Sequence, residues 1–304
     1  MINSANQLNN SLKKLRFVPN KIRREMRRLP ILSSQSERNY FSALEEYKKK
    51  LPILSPDDVD LVKTMNQEGF VISHVEELQL SSTPQMIEAA KKLVNDFVGM
   101  PSKETLEISP YVPTLPHFQL VEHYPEIFLW GLEERLIDII ETYIGLPLRY
   151  QGAEFRKGIA NGKVVDVRQW HIDTEDHRML KIIFYLNDVS VSGGPFECLS
   201  KSSTLLATQA LNYRSGFVAD QTMDRVVPFS DWKTCTGEAY TVVFADTCNI
   251  FHRAKAPTKL DRYSITFSYT SRSPIEYRSK LTFSTEQWSR LSAQLSERQI
   301  ALIQ

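Results

Sequence analysis

His171-Ile172-Asp173 sets an imidazole and a carboxylate two residues apart. In an extended chain such residues point to the same side, so both can reach one metal ion. A second imidazole, His252, closes the strand-like segment Asn249-Ile250-Phe251-His252. Two imidazoles and one carboxylate on one face of an ion form the facial triad of non-haem Fe(II) oxygenases, which leaves coordination positions open. Oxygen activation uses those positions, because a bidentate cosubstrate and O2 must meet the same iron. An HxD tripeptide alone is weak, since it recurs by chance. The signal sharpens at Arg262-Tyr263-Ser264, which begins ten residues after His252. A buried arginine needs an anionic partner. A guanidinium grips a carboxylate bidentately, which fits the distal end of 2-oxoglutarate. Ser264 faces the same way as Arg262 and can donate a second hydrogen bond.

Strands must position these groups, and the chain after residue 147 is rich in them. The runs at 148–156, 164–170, 180–186, 239–245 and 262–270 carry β-branched and aromatic residues between turn residues. Short strands joined without intervening helices suggest a sandwich or jelly roll. Before residue 147 the periodicity is helical. Ser55-Pro56 reads as an N-cap with proline at the first helical position, ahead of a helix with Leu61, Val62 and Met65 on one face. Phe70-Val71-Ile72 reads as a short strand, and Thr83-Pro84 starts another helix. Pro125 opens a third, predicted to run unbroken through Trp130, Leu136 and Tyr143 to a stop at Gly145. A last helix follows Ser284, which pairs with Gln287 in a capping box. The expected organisation is an N-terminal arm over 1–54, a β domain with packed helices over 55–280, and a C-terminal helix over 281–304.

Bulk properties narrow the function classes. The 304 residues are 42% hydrophobic and 24% charged, ordinary values for a globular protein. A formal net charge of +1 argues against a nucleic-acid binder. No apolar run is long enough to span a membrane. The three cysteines, Cys198, Cys235 and Cys248, lack zinc-knuckle spacing and read as reduced thiols, giving a cytoplasmic expectation. Residues 13–28 hold eight basic side chains against Glu25 alone. They read as a solvated arm or as a contact for an acidic or carrier protein.

On these motifs the chain resembles the 2-oxoglutarate-dependent oxygenases, and within them the phytanoyl-CoA dioxygenase-like group. The resemblance is carried by NQEGFVIS (66–73), QWHID (169–173), KIIFYLNDVSVSGGPFECLSKS (181–202), FADTCNIFHRAKAP (244–257) and DRYSITFSYT (261–270). It implies a mainly β core with flanking α-helices, folded as a double-stranded β-helix of jelly-roll or cupin-like type. It implies Fe(II) on His171, Asp173 and His252, with 2-oxoglutarate anchored by Arg262 and Ser264. The implied activity is a dioxygenase that hydroxylates a small-molecule or biosynthetic-intermediate substrate, with O2 consumed and succinate and CO2 released. Where members often carry Pro-Gly-Ser-His, this chain has Cys198-Leu199-Ser200-Lys201-Ser202. Asp173 occupies the position that halogenases of the superfamily leave open for a halide, which argues against halogenation and leaves desaturation, ring closure and epoxidation open beside hydroxylation.

Several residues are further candidates. Lys181 and Tyr185 share a strand face and either could help hold the cosubstrate. Arg156, Lys157, Glu175 and His177 could contact substrate. So could Arg214 and Trp232, in a stretch over 208–236 that reads as a lid. Trp170 reads as packing, and His74, His117 and His123 as structural. Other classes stay open: a jelly-roll protein that binds metal without turnover, a protein hydroxylase, or an oxygenase of acyl-CoA or carrier-bound groups.

Overall fold

The computed structural model describes residues 30–98, 115, 117–276 and 281–304. The basic stretch 13–28 lies outside the described residues. The described residues up to Lys50 belong to one unit and those from Leu51 onward to another. In the first, helix α1 (Pro30–Tyr47) runs into a single 3-10 turn, Lys48–Lys50.

The second unit starts as its sequence dictates. The Ser55 hydroxyl accepts from Asp58 N at 3.3 Å, and Pro56 opens α2 (Pro56–Glu68). Gly69, at φ 86°, ends it in the left-handed conformation that glycine tolerates. Strand β1 (Phe70–His74), α3 (Thr83–Val98) and α4 (His117–His123) follow. The long helix expected from Pro125 is in fact two, α5 (Pro125–Trp130) and α6 (Glu134–Ile144). The break falls at Gly131. The Tyr269 hydroxyl donates to Gly131 O at 2.6 Å, and a Cβ at Gly131 would stand 2.4 Å from the Tyr150 hydroxyl oxygen. The backbone must come this close to the sheet, so the helix cannot continue on its own axis.

The remaining elements are β2 (Leu148–Gly158), β3 (Leu180–Tyr185), β4 (Phe196–Cys198), α7 (Lys201–Ala210), α8 (Asp220–Asp224), β5 (Lys233–Cys235), β6 (Thr241–Asp246), β7 (His252–Ala254), β8 (Arg262–Ser271), α9 (Thr285–Ser292) and α10 (Glu297–Ile303). They form two antiparallel sheets, a large one in the order β1-β6-β3-β8-β2 and a small one in the order β5-β4-β7. Antiparallel sheets with flanking helices are the core that the strand-rich second half predicts. The expected capping box of Ser284 with Gln287 starts α9, and a second one, Ser296 with Gln299, starts an unforeseen α10. Among the described residues, no helix is long and apolar enough to cross a membrane.

Alternation along each strand divides the large sheet into two faces. Ala153, Phe155, Ile182, Phe184, Val242, Phe244, Ile265 and Phe267 join the helices in one apolar core. The alternate residues Glu154, Arg156, Lys181, Ile183, Arg262, Ser264, Thr266 and Ser268 line a cavity on the other face. The segment 164–170, predicted as a strand, is a turn. Asp166 takes φ 48° and opens a 3-10 turn, Asp166–Arg168. Arg168 is buried there, donating to Asn161 Oδ1 at 2.7 Å, Lys163 O at 2.9 Å and Ile159 O at 3.0 Å. These bonds fold the loop back on itself just before His171.

Candidate metal centre

His171 and His252 face each other across an isolated antiparallel bridge. Each donates its backbone N–H to the other's carbonyl, at 3.0 and 2.9 Å. Such a pair keeps its side chains close on one face, and the two rings lie 4.3 Å apart between centroids. His252 thus opens β7 rather than closing a strand. Asp173 is held over the pair by its own N–H, which donates to Thr247 O at 2.9 Å. Its Oδ1 is 3.7 Å from His171 Nε2 and its Oδ2 is 3.7 Å from His252 Nε2. Donors bound at about 2 Å from one ion can be no more than roughly 4 Å apart, so the carboxylate meets both rings at a workable distance. The ligand atoms of the three residues all lie within 4.8 Å of one another.

The rings are also prepared electronically. His171 Nδ1 is 2.9 Å from Gln169 O and His252 Nδ1 is 3.2 Å from Ile250 O. A carbonyl only accepts, so Nδ1 carries the hydrogen and Nε2 presents a lone pair to the centre. Burial pushes both imidazoles below their ordinary pKa, His252 to about 3, and keeps them neutral. Burial alone would raise the Asp173 carboxyl. The Lys181 ammonium outweighs it and holds the group well below the usual carboxylate range. The donor set is therefore two neutral imidazoles and one carboxylate, which suits a divalent cation such as iron.

Behind the centre, the buried Asp246 ties three segments together. It accepts from the Tyr143 hydroxyl at 2.5 Å, Met179 N at 3.2 Å and Asn249 Nδ2 at 2.9 Å. Asn249 also donates to His177 O at 2.7 Å. These bonds fix the β6–β7 turn against the loop that carries Asp173. On the other face of β7, Arg253 lies between the rings of Trp170 and Trp232, at 4.7 and 5.3 Å from their centroids. It pairs with the fully buried Glu197 at 2.6 Å, which Lys255 also meets at 2.8 Å. That pair fastens β7 to β4. No sequence reading singled out Asp246 or Glu197, because a lone acid in a strand reads as solvent-facing.

His171, Asp173, Lys181, His252, Arg262, Ser264 and Arg156 all line one cavity of about 120 Å³. Arg262 and Ser264 are both buried, and an Arg262 guanidinium N–H donates to Gly194 O. Arg156 is engaged through two bonds to Glu154, at 2.9 and 3.0 Å, and Glu154 itself escaped the sequence reading. Lys181 donates to Asp173 Oδ2 at 2.5 Å.

Other candidates are placed elsewhere. The Tyr185 hydroxyl is buried beyond the cavity lining, donating to Cys235 O at 2.8 Å and accepting from Phe196 N at 2.9 Å. Lys157 faces away, paired with Asp261 at 3.3 Å and lying over the Tyr263 ring. Trp232 packs in an apolar cluster with Trp170, Leu199, Met223, Val227 and Phe251, its indole N–H donating to Val227 O at 3.1 Å. The supposed lid over 208–236 contributes to that cluster. Glu175 and His177 follow Asp173 without lining the cavity, and Arg214 is exposed outside it. Phe217, exposed beside the site, meets the His171 ring edge-on at 5.4 Å.

No protein family and no curated protein matches the chain. Solved structures do. EctD from S. alaskensis, in its apoform, aligns at 16% identity over 73% of this chain and 78% of its own, with a TM-score of 0.49. SnoK, a non-heme alpha ketoglutarate dependent carbocyclase from nogalamycin biosynthesis, aligns at 20% identity over 80% and 91%, with a TM-score of 0.47. HygX from Streptomyces hygroscopicus, with nickel and 2-oxoglutarate bound, aligns at 15% identity over 73% of this chain and 88% of its own, with a TM-score of 0.50. At that identity the likeness is one of fold: over the aligned span, this chain is folded like HygX.

Proposed function

We propose that the chain is a mononuclear non-haem iron oxygenase that uses 2-oxoglutarate, built on a double-stranded β-helix over residues 55–280. The observation that carries this reading is the convergence of His171, Asp173, His252 and Arg262 on one cavity. The neutral Nε2 atoms of the two histidines and the Asp173 carboxylate suit Fe(II). Arg262 suits the distal carboxylate of 2-oxoglutarate, with the Ser264 hydroxyl as its helper. That HygX, a protein of like fold, holds nickel and 2-oxoglutarate supports the same assignment here.

Iron and the 2-oxo acid supply an O2-dependent oxidation, with succinate and CO2 as co-products. The chain's own residues orient and exclude water. The Nδ1–H bonds to Gln169 and Ile250 aim the two imidazoles. Arg262 and Ser264, both lining the cavity, would hold the distal carboxylate of the cosubstrate. Polar groups of β2 and β8 line the wall, and Phe217 offers apolar surface beside His171. This setting favours a small substrate that joins polar groups to an apolar face, such as a biosynthetic intermediate. Asp173 fills the position a halide would need, which argues against halogenation; we assign hydroxylation as the outcome, with desaturation, ring closure and epoxidation open to the same centre.

Anaerobic addition of Fe(II) and then 2-oxoglutarate tests the reading. A visible metal-to-ligand charge-transfer band should grow to saturation at one cosubstrate per chain. Arg262→Ala should raise the 2-oxoglutarate needed for half-saturation by about a hundredfold, the loss of a charge-assisted bidentate contact. No band in the wild type, or an unchanged requirement in the variant, would contradict it.

A further inference from the structure

Lys181 stands where its charge must change partners. On β3 it lies opposite Ser268 of β8 and Ala245 of β6, neither of which carries a charge. Its ammonium is 2.5 Å from Asp173 Oδ2, the same oxygen that faces His252 Nε2 at 3.7 Å. The pair is nearly enclosed, with the two side chains 16% and 10% exposed. This ammonium neutralises a buried carboxylate, the task a bound dication would perform.

A dication at that carboxylate would face a second cation within a few ångströms, in a setting that screens charge poorly. The described cavity lining holds no other acid to receive the ammonium. Its only acid besides Asp173 is Glu154, already gripped by Arg156 through both oxygens. The lining carries three cations, Arg156, Lys181 and Arg262, against two anions, Glu154 and Asp173. With Arg156 matched to Glu154, Asp173 given to the metal, and Arg262 given to the distal carboxylate, Lys181 is left over.

We infer that Lys181 is an exchange residue, paired with Asp173 until a metal binds and then transferred to the carboxylate of 2-oxoglutarate beside its keto group. The inference rests on the metal and cosubstrate assignment above. It gives Lys181 opposite effects on two ligands: it competes with the metal for Asp173 and then recruits the 2-oxo acid. A residue that only braces Asp173 by a hydrogen bond would do neither. Its loss would weaken metal binding, as loss of an outer hydrogen bond to a ligand generally does.

The test is calorimetric titration of the full chain with Co(II) alone, then of the Co(II)-loaded protein with 2-oxoglutarate, under anaerobic conditions. Lys181→Met removes the charge. Lys181→Gln removes the charge but keeps a donor for Asp173, and it carries the test if the methionine variant fails to fold. Both variants should bind Co(II) about tenfold more tightly than wild type, and their Co(II) forms should bind 2-oxoglutarate about tenfold more weakly, the scale of a typical coupling between sites. Weaker Co(II) binding in either variant, or unchanged 2-oxoglutarate binding, overturns the inference while leaving the metal centre standing. If wild-type protein itself takes up no Co(II), the metal assignment and the inference fail together.

Discussion

Lys157 and Arg262 are buried cations on paired strands, one residue out of step: Lys157 lies opposite Tyr263, and Arg262 opposite Gly158. Because strand side chains alternate, that single step sends Lys157 to Asp261 and Arg262 into the cavity. Lys157→Met should therefore leave 2-oxoglutarate affinity unchanged in the titration that exposes Arg262→Ala. Its cost should appear in denaturant unfolding, at about 1 kcal/mol for a lost ion pair and packing on Tyr263. Sequence spacing could find Arg262 and Ser264, because a period of two reports facing. It could not separate Lys181 from Tyr185. Both share a face, but the Tyr185 hydroxyl sits deeper and is held by Cys235 and Phe196. Depth belongs to the second sheet, which no local spacing encodes.

The elements were legible in their apolar periodicity and blurred where tertiary contact overrode it. Residues 127–143 repeat like one helix, yet the chain breaks at Gly131, where Tyr150 and Tyr269 demand a close backbone approach. Gly131→Ala should destabilise the protein by about 1–3 kcal/mol, the usual range for forcing atoms into a packed interior, read by denaturant unfolding. Residues 164–170 have strand-like composition, but Arg168 draws that loop onto its own carbonyls. At the start of α5, Tyr124 donates its hydroxyl to Asp96 of α3. Burial, reinforced by that bond, pushes the phenol up to about 12. A raised folded pKa contributes stability that is complete below the unfolded value near 10 and is lost as pH rises through 12. Tyr124→Phe should thus flatten the fall in stability between pH 10 and 12, by an amount on the order of 2 kcal/mol. A fall as steep as that of wild type would show that Tyr124 is not the group responsible.

At the scale of the molecule, one strand pattern serves two interiors. In β8 the residues Arg262, Ser264, Thr266 and Ser268 alternate with Tyr263, Ile265, Phe267 and Tyr269, which in isolation reads as a strand with one face in water. Here the polar row lines a cavity that small-sheet residues His252 and Ala254 also border, and the apolar row meets the helices. Composition announced the strands, but the order β1-β6-β3-β8-β2 comes from long-range pairing that only the fold reveals. In the proposed function, this pairing brings three distant ligands to one iron. Diffraction recorded above and below the iron absorption edge, from crystals grown anaerobically with Fe(II) and 2-oxoglutarate, tests it most directly. One anomalous peak per chain is expected, bonded to His171 Nε2, His252 Nε2 and the Asp173 carboxylate, with the dicarboxylate extending to Arg262. A peak at any other site, or none, would contradict it.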